Sequence, residues 1–155
     1  MSGRYAVTGI QTAVEATPGE TILALFPSAT TTRGKIYYFS VSAGGTMADL
    51  LQRVQVQRIT ALGTEGAGVV PVALDPGDPA SICDGAEDHS AEPTFTSATE
   101  IWDQDVHVRA TPQVQLQPDS HIVLPVTANN GIAMRSFGLS SGYTGSAHAT
   151  FHFID

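Results

Sequence analysis

An all-β fold, built as an antiparallel sandwich, a jelly roll or a small barrel, is what this sequence predicts. Three observations carry that expectation. Short runs of β-branched and aromatic residues recur along the chain, several with apolar and polar residues in alternation. Clusters of Gly, Pro, Asn and Asp separate them at regular spacing. No segment shows the apolar period of an amphipathic helix.

The stretch from Leu50 to Pro79 sets the pattern. Val54 and Val56 alternate with Gln55 and Gln57, which places one set inward and the other toward water. ALGTEGAG supplies a flexible turn, VVPVAL resumes an apolar run, and DPGDP stops it by removing donors and permitting a tight turn at Gly77. Upstream, residues 1–18 read as an N-terminal arm or an ordinary edge strand, with the edge strand the simpler reading. Glu20 to Phe26 is a compact apolar strand that Pro27 ends. Lys35 to Ser42 is strongly β-forming, with Ile36 and Tyr38 on one side and Tyr37, Phe39 and Val41 on the other, which suits a central strand. Met47 to Leu51 reads as a brief helical turn.

Downstream of Pro79 the pattern lapses. Residues 75–92 carry Asp75, Asp78, Asp84, Glu87, Asp88 and Glu92 with no Lys or Arg, and read as a long, solvent-facing acidic loop. TFTS is a short strand. In Glu100 to Arg109, Trp102, Gln104, Val106 and Val108 alternate with Asp103, Asp105, His107 and Arg109. QVQLQ, HIVLPV and IAMRSF follow as strands, with Asn129-Asn130-Gly131 as a turn that tolerates positive φ. Ala147 to Ile154 closes the chain, with Ala147, Ala149, Phe151 and Phe153 opposite His148, Thr150, His152 and Ile154.

The totals restrict function. With 155 residues and no linker, one domain spans 1–155. The formal net charge is −8, with seven Lys and Arg residues in all, and Lys35 is the sole lysine. Neither direct nucleic-acid binding nor docking on anionic lipid suits that balance. Cys83 is the single cysteine, so neither an internal disulfide nor a CxxC metal pair exists. The first residues lack a secretory apolar core and no run is long enough to span a membrane, so synthesis in a cytoplasm is expected.

Candidate chemistry is sparse. His148 and His152 share a strand face, but four residues of extended chain separate them by about 13 Å. One ion held at about 2 Å from each nitrogen does not bridge that gap, and His107 or His121 would join only through folding. The acids of 75–92 offer oxygens for calcium but lack the register of a calcium loop. Asp103 and Asp105, with Glu100 near, resemble paired acid–base carboxylates, yet polar decoration of an outward face accounts for them. No G-x-S-x-G elbow, P-loop or dinucleotide fingerprint occurs, and acidic neighbours disfavour a Cys83 thiolate. No enzyme, cofactor or metal is expected. Trp102, Tyr37, Tyr38 and Tyr143 would make a sugar platform if exposed, although aromatics on a sandwich more often fill the core. Arg58, on the Val54 side of its strand, marks an exit into water, a bulge or a buried ion pair, the first being preferred.

The strings VQRITALGTEGAGVVPVALDPGDPAS, AEPTFTS, HIVLPVTANNGIAMRSF and GSAHATFHFID resemble small β-sandwich or jelly-roll head decoration (cement) proteins of tailed bacteriophages. The resemblance covers roughly Gln52 to the C-terminus and carries no functional residue. It implies an antiparallel β-sandwich of jelly-roll type and a homotrimer on the outer capsid surface of a virion. There it would bridge major capsid protein subunits against the pressure of packaged DNA, without direct nucleic-acid or membrane contact. The alternative is a receptor- or glycan-binding module of a phage fibre, tail or head.

Overall fold

A computed structural model describes residues 3–12, 19–29, 33–45, 51–138 and 145–155. In chain order the strands are β1 (Arg4–Gln11), β2 (Glu20–Pro27), β3 (Lys35–Gly45), β4 (Leu51–Ala61), β5 (Ala67–Val69), β6 (Val72–Ala73), β7 (Cys83–Glu87), β8 (Thr94–His107), β9 (Gln113–Gln115), β10 (Ile122–Val123), β11 (Gly131–Gly138) and β12 (Gly145–Ile154). A 3-10 turn covers Pro118–Ser120. Among the described residues no helix is long and apolar enough to cross a membrane.

Two antiparallel sheets pack face to face. The front sheet runs β10-β3-β12-β1-β6, with β9 also on β3, and the back sheet runs β5-β7-β2-β11-β4-β8. Hydrogen-bonded partners nest from the ends of the chain inward: β1 with β12, β2 with β11, β3 with β9 and β10, and β4 with β8. That nesting, wound over two sheets, is the jelly roll.

The core between the sheets follows the side-chain period of two. From the front come Tyr5, Val7, Phe39, Val41, Ala149, Phe151 and Phe153; from the back come Ile22, Leu23, Leu25, Val54, Val56, Ile132 and Met134. Tyr5 stacks on Phe153 with ring centroids 5.5 Å apart, and Phe39 meets Trp102 edge-on across the gap at 5.5 Å. The inward face expected for Ala147–Phe153 is observed. A register shift between Met134 and Arg135 turns Ile22 and Leu23 both inward. Another between His152 and Phe153 changes β3: Ile36 and Phe39 are both buried, while Tyr37 and Tyr38 both lie against the outward His152. The simple alternation expected for 35–42 is therefore broken, although β3 is central. Gly131 is needed where β11 crosses β2, because a Cβ there would stand 2.1 Å from the Leu25 carbonyl oxygen.

Several expectations change. Arg4–Gln11 is neither an arm nor an edge: it pairs along its length with β12 and is flanked at Tyr5 and Ala6 by β6. Residues 13–18 and 46–50 lie outside the described residues, and with them the rest of the expected 1–18 arm and most of the 47–51 turn. The expected strand VVPVAL is split, because its proline lies where the chain passes from β5 in the back sheet to β6 in the front sheet. TFTS and EIWDQDVH join into β8, kinked at Ala98 with φ 56°.

The largest correction concerns 75–92. Residues 75–82 do form a largely exposed turn and loop, but the rest of the segment is built into the body. It carries β7, buries Cys83, Gly85, Ala86 and His89, and sends most of its carboxylates to backbone donors of the body. The main-chain N–H of Arg4 donates to Asp78, that of Ile10 to Glu87 at 2.6 Å, that of Thr12 to Asp88, and that of Thr21 to Glu92 at 2.9 Å. The donors lie where strand pairing stops, since β6 covers only Tyr5 and Ala6 of β1, and β7 begins on β2 only at Ala24. Asp75 caps the DPGDP turn through the Gly77 N–H at 2.9 Å. The insertion between β4 and β8 is thus a strap over the open side of the sandwich. Its outer end adds a small second core of Ala24, Phe26, Ile59, Ala86 and Ala133, with Leu62 and Phe95 packed against it.

Phe151→Ala is expected to cost about 3–5 kcal/mol, and Glu87→Ala about 1.5–3 kcal/mol through its charged hydrogen bond. Both are read as lower urea midpoints. A Glu87→Ala chain as stable as the parent would remove the strap from this account.

Candidate interaction surfaces

The outer faces of the two sheets differ in charge and in cover. None of the chain's 15 acidic residues lies in a strand of the front sheet, whose charged residues are Arg4 and Lys35. Its outward rows are read from the register: Thr8 beside Thr150 beside Ser40, and Ala6 beside His152 beside Tyr38. At its β6 edge stand the two most exposed large aliphatic side chains among the described residues, Val70 at 79% and Val72 at 68%, with Leu74, also exposed, beside them. Ala73 packs on the core, so its neighbours Val72 and Leu74 turn away from it. A row of this kind on a free sheet edge is a ready contact surface.

The back sheet is covered at one end by the strap and charged at the other. The Arg135 guanidinium lies between the rings of Phe95 and Phe137, at 4.2 and 4.4 Å, and its Nε donates to Gln55 Oε1. Arg53 donates to both carboxylate oxygens of Asp103, at 2.9 and 2.5 Å, and Gln55 donates to the same group at 3.0 Å. Glu92 is pushed up by burial, while its two bonds from Thr21 and the charge of Arg135 act the other way.

The candidate acid–base carboxylates Asp103 and Asp105 stand opposite Gln55 and Arg53 of β4. Asp103 is engaged by Arg53 and Gln55, and Glu100 accepts from Gln57 at 3.3 Å, so the carboxylates serve different partners. The acids of 75–92 are likewise dispersed over separate backbone donors. His148 neighbours Ser146, His152 lies against Tyr38 with its pKa lowered by burial, His121 sits 6.1 Å from the Tyr37 ring, and His107 Nδ1 accepts from the Arg109 N–H. No cluster of three or more His, Cys, Asp or Glu able to hold a metal occurs among the described residues. Cys83 is core, its thiol pushed up to about 12 by burial first and by Asp155 and Asp84 next. His89 is buried with both ring nitrogens unpartnered.

Trp102 is no exposed platform: it packs against the core beside Phe39. Tyr143 lies outside the described residues. Arg58 does not exit into water. Half-buried, it reaches across the sandwich and donates to the Val123 carbonyl at 3.2 Å, next to register shifts in β4. Two features escape sequence reasoning. Val70, Val72 and Leu74 read as a core strand, and only the internal Pro71 signals an edge. The other is a shallow cleft of about 290 Å3 in which Tyr37, Gln115 and Gln117 meet His121. Arg4 and Ile154 close its far side, and residues so distant in sequence give no local signal.

Fold and surfaces together define a jelly-roll β-sandwich whose back sheet is strapped and charged and whose front strands, among the described residues, carry no carboxylate. Comparison with protein families, curated proteins and solved structures finds no match for the chain.

The Asp103 carboxyl is held down to about 2, chiefly by its hydrogen bonds from Arg53, with burial opposing and Gln55 assisting. Its folded pKa lies below the ordinary 3.8, so the stability it adds is present above pH 3.8 and is lost as pH falls toward 2. Both side chains reach water, so the contribution is small. Carbon-detected NMR titration is expected to place the Asp103 midpoint near 2. A midpoint at the ordinary value would mean the ion pair does not persist in solution.

Proposed function

We propose that this chain is a structural virion protein that decorates the outer surface of a bacteriophage capsid, as a homotrimer, and stabilises it by bridging major capsid protein subunits. The observation that carries this reading is the set of acid-free front strands with an exposed aliphatic edge beside them. A chain of net charge −8 repels other acidic surfaces wherever carboxylates project. Its front strands carry none, and Val70, Val72 and Leu74 offer apolar area beside them. Contacts of modest area, repeated over a lattice, sum to a large resistance to subunit separation. The closed core supports the same reading, since a bridge under load must not deform. The phage-like strings along β4, β5, β11 and β12 supply the particular setting.

Heads assembled without the protein are expected to bind it and to withstand a higher disruption temperature once it is added. Val72→Asp is expected to fold with stability within about 0.5 kcal/mol of the parent, because the side chain is exposed, and to lose most head binding. Heads that neither bind the parent protein nor gain heat resistance would overturn the reading. Light scattering of the free protein tests the trimer separately.

A further inference from the structure

We propose that the cleft between Arg4, Tyr37 and His121 binds an acidic saccharide, a sugar ring that carries a carboxylate. The inference stands apart from any role on a capsid.

The cation comes first. Arg4 is exposed, and although acids outnumber Lys and Arg by 15 to 7, its guanidinium makes no ion pair with a described carboxylate. Asp78 is taken by the Arg4 main-chain N–H at 3.1 Å, which fixes the backbone and leaves the guanidinium fork open. Register places Arg4 and Lys35 on either side of Ile154, so two of the chain's seven Lys and Arg residues meet at this end of the sheet. Two acids adjoin lining residues in sequence, Asp119 on the 3-10 turn and Asp155 after Ile154; neither lines the cleft, and Asp155 accepts from Ser81 and the Ile82 N–H.

The rest of the cleft suits a hydroxylated ring. Tyr37 is braced by His121 at 6.1 Å and His152 at 6.0 Å, which presents a half-exposed aromatic wall for the C–H face of a sugar. Gln115 and Gln117, both exposed, flank Leu116, whose main-chain N–H is tied to the Tyr37 carbonyl at 2.8 Å. Each glutamine amide offers a donor and an acceptor, as neighbouring hydroxyls require. The cleft, about 290 Å3, is shallow and small, so weak single-residue recognition is expected.

The test is an amide-shift titration of the whole chain with glucuronate, glucose and acetate, and with an oligouronate. Saturable shifts at Tyr37, Gln115 and His121 are expected with glucuronate, and about tenfold weaker binding of glucose and acetate, since each lacks half the recognition. Arg4→Gln keeps the main-chain bond to Asp78 and is expected to weaken glucuronate by about tenfold; Gln115→Ala, on an exposed position, is the second variant and is also expected to weaken it. Tighter binding of the oligouronate assigns a polysaccharide as the source, and equal binding assigns the free sugar; both carry the proposal. It is overturned if neither uronate gives saturable shifts at the cleft, if glucose binds as well as glucuronate, or if folded Arg4→Gln binds like the parent.

Discussion

The structure depends on finding acceptors for backbone N–H groups where strand pairing runs out. On the sides of β1 and β2 that face the strap, the N–H groups of Ile10, Thr12 and Thr21 meet no strand, because β6 and β7 are too short to reach them. An unpaired donor taken out of water costs roughly 1–3 kcal/mol, a penalty that bears on the part-buried Ile10 and Thr21 and not on the exposed Thr12. Carboxylates on the strap between β4 and β8 complete the ladder, with Glu87, Asp88 and Glu92 each taking one of these donors. The same strap sets β5 and β6 on the free edges of both sheets. A sandwich open on one side becomes a closed block.

One consequence is an uneven distribution of charge. The strap draws acidic residues toward the back and the side, while the front strands remain without any. Sheet faces that meet water usually carry charge of both signs, and one that carries only two cations, at one end, offers a surface that another molecule can cover at modest desolvation cost. The two front cations, Arg4 and Lys35, gather at one end and face each other across Ile154. The proposed attachment through the aliphatic edge and the proposed capture of an anion at the cleft would thus be separate uses of one sheet.

Much of the fold was legible because strands print their inward face every second residue. β12 shows this most clearly, with Ala147, Ala149, Phe151 and Phe153 all buried as the alternation requires. Bulges are what alternation does not reveal: the shift at His152 and Phe153 moved the β3 tyrosines to one side, and the shift at Met134 and Arg135 doubled Ile22 with Leu23. The strap was misread for a physical reason. A run of carboxylates signals solvent by default, and only the location of unpaired N–H groups in three dimensions shows that these are acceptors. Arg58 was misread likewise, since its partner is a main-chain carbonyl 65 residues away. The cleft left no trace in the sequence, because Arg4, Tyr37 and His121 share no local pattern.

The account's central claim is that a rigid block makes its contacts through its front. Hydroxyl-radical footprinting of the protein on assembled heads, against the free protein, reads that claim side chain by side chain. The account predicts strong protection at Val70, Val72 and Leu74, with Ile101 and Phe137 of the back sheet unchanged. Protection confined to the back sheet, with the aliphatic edge as reactive as in the free protein, would contradict it.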